Sequence, residues 1–167
     1  MMTELYWIYG PWPGKLAIAP RPRGGDWLED EISHWHSAGV DTVLSVLVPK
    51  EEKDLNLLEE QQLAKRHGIK FLSLPIPDRQ VPSSESDATK TLEKLELELD
   101  SGKNVVVHCR QGVGRSGLIA SCLLVMKGFS PQAAVEAVSA SRGVEVPETK
   151  QQRTWIDHYS SLKESTR

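Results

Sequence analysis

The sequence predicts an α/β fold in which a central, mostly parallel, twisted sheet of about five strands is flanked by helices. Three observations carry that expectation. Short apolar or β-branched runs alternate with longer stretches of helical period. Gly, Pro and Ser punctuate most changes of period. The 167 residues, 39% hydrophobic and 26% charged, suit one domain spanning 1–167, with neither disorder nor low-complexity tracts.

Tyr6 to Tyr9 and Leu16 to Ala19 read as short strands around the turn-prone Gly10-Pro11-Trp12-Pro13-Gly14. Trp27, Leu28, Ile32 and Trp35 recur at helical spacing, and that helix stops by Gly39. Thr42 to Val48 is a buried-type strand closed by Pro49. Leu55, Leu58, Gln62 and Leu63 share a helical face that ends at His67-Gly68. Lys70 to Ile76 is the next strand, followed by a proline-rich segment to Pro82. Ser84 with Asp87 resembles a capping box before the stripe Thr91, Leu92, Leu95 and Leu99. Its end, Leu95-Glu96-Leu97-Glu98-Leu99, also alternates like a strand. Asn104 to His108 is a further buried strand, and Arg115 to Lys127 a helix. Ser130-Pro131 opens another helix as N-cap and N1, and a last one follows Pro147. In such sheets, sites gather beyond the carboxyl ends of the strands. The segments expected there are Pro49 to Glu52, Pro75 to Asp78 and His108 to Arg110.

The net charge of -3 offers no bulk attraction to nucleic acid or acidic membranes, so any anion site must be local. Two cysteines cannot staple a small secreted domain. The start, Met-Met-Thr-Glu-Leu-Tyr, lacks the basic stretch of a signal peptide. Leu118 to Met126 falls far short of the roughly 20 residues that span a bilayer. The expectation is a soluble, cytoplasmic protein with no membrane insertion and no nucleic-acid partner, monomeric by default. His34 and His36 lack further ligands, so neither metal nor cofactor is expected. Cys122, among Leu118, Ile119 and Leu123, reads as core.

The informative stretch is Val105-Val106-Val107-His108-Cys109-Arg110-Gln111-Gly112-Val113-Gly114-Arg115-Ser116-Gly117. A strand ends, the loop Cys109 to Arg115 turns tightly, and a helix begins. Backbone N–H groups of the loop and first helical turn form a concave anion site, which Gly112 and Gly114 allow to curve. Arg110, Gln111, Gly112, Val113, Gly114 and Arg115 are therefore the candidate binding residues. The Arg115 guanidinium adds a bidentate cation suited to a phosphate-like group. The same fields favour the thiolate of a central cysteine, which makes Cys109 a candidate nucleophile. Ser116 can donate a hydrogen bond that stabilises the thiolate as it leaves.

Competing readings fail on context. Gly112, Gly114 and Gly117 match a dinucleotide fingerprint, but a second strand with its acidic residue should follow about 20 positions on. That region is the helical Pro131 to Ser141. A nucleotide P-loop needs Gly-Lys-[Ser/Thr] where Arg115 and Ser116 stand. A buried core cysteine leaves Arg115 and the glycines unexplained.

His108-Cys109 through Arg115-Ser116-Gly117 resembles the signature loop of the cysteine-dependent protein tyrosine phosphatase superfamily. Trp12 to Ala17 resembles the amino-terminal strand segment of its small atypical dual-specificity members. Pro75-Ile76-Pro77-Asp78 is similar to their acid loop, and Glu148-Thr149-Lys150-Gln151-Gln152 to their Gln-Thr-x-x-Gln segment. The resemblance implies a phosphatase-like fold and a phosphocysteine intermediate on Cys109. It makes Asp78 the general acid, and then the base for the hydrolytic water; the alternative is a turn residue between prolines. Arg79 and Gln80 depart from the small residues that often follow this Asp. His108 is implied to orient the loop and tune Cys109. Glu148 stands where Gln is usual, either helping to orient water or simply an exposed helix-start carboxylate; Gln152 matches the second Gln. Glu51 and Glu52 read as a solvated loop, with reach to the pocket rim as the alternative.

The expected activity is hydrolysis of phosphoprotein monoesters: phosphotyrosine and, because no pocket-deepening loop is found, phosphoserine and phosphothreonine. A phosphoinositide or other non-protein phosphomonoester is the alternative substrate. A non-catalytic phosphate-binding module is the alternative from another class.

Overall fold

The computed structural model describes residues 2–165. Its strands are β1 (Tyr6–Ile8), β2 (Leu16–Ala19), β3 (Thr42–Ser45), β4 (Lys70–Ser73) and β5 (Val105–His108). They form one sheet in the order β1-β2-β5-β3-β4, with β1 antiparallel and the other four parallel. The register sets Ala19, His108 and Ser45 level with one another, and Ser73 level with Ser45. The segments leaving the parallel strands therefore start side by side.

Alternation along the strands divides the core. Leu16, Ile18, Leu44, Val105 and Val107 face α4 (Glu85–Asp100), α5 (Gly114–Met126), α6 (Pro131–Arg142) and α7 (Lys150–Ser165). Ala17, Ala19, Val43 and Val106 pack with Leu28, Ile32 and Trp35 of α1 (Leu28–Ser37). Leu63 and Ala64 of α3 (Glu60–Arg66) join that second cluster. Every residue of α5 from Gly114 to Val125 is buried, so this helix is enclosed by its neighbours. Among the described residues, no helix is long and apolar enough to cross a membrane.

Several local expectations change. Pro49 does not merely close a strand; it is the first residue of α2 (Pro49–Asp54), where its fixed φ suits the opening turn. β3 ends at Ser45 and β4 at Ser73, yet the Leu74 and Ile76 N–H groups still donate to Ser45 O and Val46 O. Pro75, lacking an N–H, falls between those two bonds. Leu57, not Leu58, is buried; Leu58 is 69% exposed because α3 begins only at Glu60. The alternating Leu-Glu segment is helical, with Leu95 and Leu99 buried and Leu97 exposed. Trp27 belongs to a 3-10 turn (Gly25–Trp27) ahead of α1 and is exposed. Ser84 Oγ accepts from the Asp87 N–H at 3.1 Å, and Ser130 Oγ from the Ala133 N–H at 3.1 Å, so both act as N-caps.

Candidate active site

Cys109 follows the last residue of β5 and is 3% exposed. Its Sγ lies 3.2 Å from Ser116 Oγ and accepts the Gly112 N–H at 3.2 Å. That N–H faces inward because Gly112 has φ +73°, and a Cβ there would lie 2.6 Å from Ala19 C and Pro20 N. The Gln111 and Gly112 carbonyls turn the other way, toward α6. Arg142, at the end of α6, donates from Nε to Gly112 O at 2.8 Å and from Nη2 to Gln111 O at 3.3 Å. Its guanidinium sits 4.0 Å from the centre of the Tyr6 ring, which ties the loop to the edge strand.

Arg115, in the first turn of α5, is 2% exposed. It donates to both Glu51 carboxylate oxygens, at 2.7 and 2.9 Å. It also donates to Ile76 O at 2.8 Å and Asp78 Oδ1 at 3.2 Å. One guanidinium thus joins the segments leaving β3, β4 and β5. Burial works against the Glu51 charge, but hydrogen bonds from Arg115 and the Val48 N–H, with the charges of Arg115 and Arg110, hold its pKa below the ordinary value. Burial likewise disfavours the Arg115 cation, yet Glu51, Cys109 and Asp78 keep its pKa raised. Glu52 moves the other way: burial and the Glu60 charge push its carboxyl up, against a lowering by His108.

The resulting cavity of about 180 Å³ is lined by Asp78, Cys109, Gln111, Gly114 and Arg115, with Arg79 and Glu148 on its rim. The Arg79 guanidinium meets Glu148 at 3.2 Å, and Arg79 itself holds φ +64°. Gln152 is fully buried. Its Oε1 accepts from the Glu148 and Thr149 N–H groups, and its Nε2 donates to Gln80 O at 3.2 Å. The loop from Pro75 to Gln80 is thereby bracketed from the start of α7.

Cys109, Gly112, Gly114, Arg115, Ser116 and Asp78 come together as the sequence predicts. Gln111 and Glu148 also border the cavity, while Gln152 supports it from behind. His108 reaches the Cys109 carbonyl, 3.4 Å from its Nδ1. Val113 lines a larger adjoining cavity of about 660 Å³. Arg110 is half-exposed, 4.0 Å from Glu51. Glu51 overturns its reading as part of a solvated loop, because α2 turns its carboxylate inward onto Arg115. Glu60 and Arg142 were not visible as site residues. Glu60 left a trace as a carboxylate among Leu57, Leu63 and Ala64 at helical spacing, whereas Arg142 left no local signal. No group of three or more His, Cys, Asp or Glu among the described residues is placed to hold a metal ion.

The chain is similar to known proteins along most of its length. The chain is 28% identical over 162 residues to a protein of Invertebrate iridescent virus 6 that bears a tyrosine phosphatase name, covering 94% of this chain and 56% of that one. It is 33% identical over 134 residues to cyclin-dependent kinase inhibitor 3 of Sus scrofa, covering 79% of this chain and 63% of that one. The chain thus spans little more than half to three-fifths of the length of these relatives. A crystal structure of a kinase associated phosphatase, with its catalytic-site cysteine replaced by serine, superposes with a TM-score of 0.86 at 18% identity. That match covers 99% of this chain and 98% of the other and establishes the shared fold. The family described as Swiss Army Knife protein, DSP-PTPase phosphatase domain, matches residues 4–161. The chain belongs to that family, within the atypical dual-specificity group of the cysteine-dependent protein tyrosine phosphatase superfamily.

Proposed function

We propose that this chain hydrolyses phosphoprotein monoesters, on tyrosine and also on serine and threonine, through a phosphocysteine on Cys109. The observation that carries this reading is that Cys109, whose Sγ is held by Ser116 Oγ and the Gly112 N–H, lines one small cavity together with Arg115 and Asp78. Loop N–H groups and Arg115 hold the non-bridging phosphoryl oxygens. The Cys109 thiolate attacks phosphorus, the P–O bond to the leaving group breaks, and the Asp78 carboxyl delivers its proton to that oxygen. Water then attacks the phosphocysteine while Asp78 takes its proton. The S–P bond breaks, inorganic phosphate departs, and the Ser116 hydroxyl donates to the regenerated thiolate.

Arg115 already uses Nη1 for Glu51 and Ile76 O, and Nη2 for Glu51 and Asp78. Among the described residues, the Nε–H is the guanidinium donor left over. An arriving oxyanion held in bidentate fashion therefore takes Nε and competes with Asp78 for Nη2, and release of Asp78 frees it for the leaving oxygen. The small cavity and the 56% exposed Asp78 side chain support access by short phosphoserine and phosphothreonine side chains as well as phosphotyrosine. The absence of lysine from Cys109 to Arg115 favours protein over inositide substrates.

The test is hydrolysis of p-nitrophenyl phosphate, with EDTA for metal independence and without it for vanadate inhibition, then of phosphopeptides and phosphoinositides, by the wild type and Cys109→Ser. Vanadate-sensitive turnover lost in Cys109→Ser supports the reading; turnover that survives it overturns the nucleophile. Asp78→Asn should slow turnover about 10²–10⁴-fold, and a negligible effect moves the acid elsewhere.

A further inference from the structure

Behind the nucleophile lies a buried acid-base pair that the proposed reaction does not use. His108 is fully buried, and its Nε2 lies 2.6 Å from Oε2 of Glu60, which is 1% exposed and comes from the first turn of α3. The other imidazole nitrogen, Nδ1, faces the Cys109 carbonyl oxygen at 3.4 Å. Trp35 packs against the ring, with centroids 5.9 Å apart and planes tilted by 32°. Glu60 Oε1 has no hydrogen-bond partner, so His108 is the only hydrogen-bonding group engaging this buried carboxyl among the described residues.

Proton counting fixes what the pair does. A carbonyl only accepts, so Nδ1 must carry the proton to hold Cys109 O. Nε2 then either carries a second proton facing an ionised Glu60, or accepts from a protonated Glu60. Both arrangements hold the same number of protons and leave the pair neutral, as a buried site demands. Without the carboxyl, the ring is free to place its proton on Nε2 and present an Nδ1 lone pair to the carbonyl, which repels it. We propose that Glu60 is a positioning residue for Cys109: it fixes the His108 tautomer, so that Nδ1–H holds the peptide from which the nucleophile loop departs.

The chemistry is that of a carboxylate orienting an imidazole, here acting on a backbone carbonyl. The neighbouring ionisable groups are Glu52 on α2, which senses both members of the pair, and Glu51, which is held by Arg115. The position rests on Cys109 being the nucleophile, and the experiment separates the two ideas because its first measurement requires no turnover. In wild-type protein labelled with ¹⁵N-histidine, His108 should show a protonated Nδ1 at pH 7. Glu60→Gln should mix the tautomers and slow iodoacetamide capture of Cys109 at pH 6 about tenfold, as the loss of one hydrogen bond allows. His108→Asn should slow it similarly, and adding Glu60→Gln to His108→Asn should change nothing more. An unprotonated Nδ1 in the wild type overturns the proposal. So does a Glu60→Gln protein that unfolds at lower temperature yet keeps its tautomer and capture rate, or additive losses in the double variant. A wild type that shows the tautomer and capture pattern but hydrolyses no phosphomonoester overturns the phosphatase reading alone.

Discussion

At the scale of single residues, the site depends on a buried cation whose charge has to be matched. Arg115 is 2% exposed and its main counter-charge is Glu51, so Glu51→Ala leaves a guanidinium buried without that partner. Breaking such a pair costs about 3–5 kcal/mol. Glu51→Gln keeps the shape and removes the charge, so it should weaken vanadate inhibition as Arg115 loses its fixed position. The stability effect has a definite sign with pH. The Glu51 pKa is held below the ordinary 4.5, because the hydrogen bonds and charges of Arg115, Val48 and Arg110 outweigh burial. A carboxylate with a depressed folded pKa contributes stability in full above its unfolded value and loses it as pH falls through its folded value. The gap in urea stability between wild type and Glu51→Gln should therefore be complete at pH 7 and shrink below pH 4.5. A gap that stays constant down to pH 3 would mean the pair contributes nothing through charge.

At the scale of elements, α6 acts on the loop from outside. The peptide joining Gln111 and Gly112 is held at both ends: its carbonyl accepts from Arg142, and its N–H donates to Cys109 Sγ. Arg142→Ala removes the outer hold, worth about 1–3 kcal/mol as two charge-assisted bonds to carbonyls, and should lower kcat/KM by roughly tenfold. Guanidinium added to the assay should restore part of that loss; full activity in Arg142→Ala would show that the loop holds its shape unaided. This contact marks where sequence reading stops. Strand, loop and helix around Cys109 are written in neighbouring residues, and the spacing of Gly112, Gly114 and Arg115 is itself the signal. Pro75 to Asp78 was legible from its place after a strand. Glu51, Glu60 and Arg142 come from α2, α3 and α6, and only the packing of those helices turns them toward the loop. The Leu95 to Leu99 segment was ambiguous for a related reason: period 2 and period 3.6 coincide over so short a run, and packing of Leu95 and Leu99 against the sheet decides it.

Across the whole molecule, the level strand ends bring three loops within reach of one side chain, so ligand binding and fold stability are linked. Arg115 joins the segments after β3, β4 and β5, and an oxyanion seated against it adds to that junction. A ligand at 100 times its Kd stabilises the native state by about 2.7 kcal/mol, which for this chain length raises Tm by about 5–10 °C. Tungstate should produce such a shift in wild type and in Cys109→Ser, since the oxyanion is held by N–H groups and the guanidinium. Arg115→Lys should abolish it, because a lysine ammonium cannot reproduce the planar fork. Asp78→Asn discriminates further. Asp78 holds Arg115 Nη2, and an oxyanion bound by both Nε and Nη2 must displace it. Replacing that carboxylate with a neutral amide removes both the competitor and its repulsion of the incoming anion. Tungstate should then stabilise Asp78→Asn more than wild type at equal concentration, even though its turnover is lower. A smaller shift in Asp78→Asn would mean that Asp78 helps to hold the oxyanion through Arg115, and that it does not leave the guanidinium when the site fills.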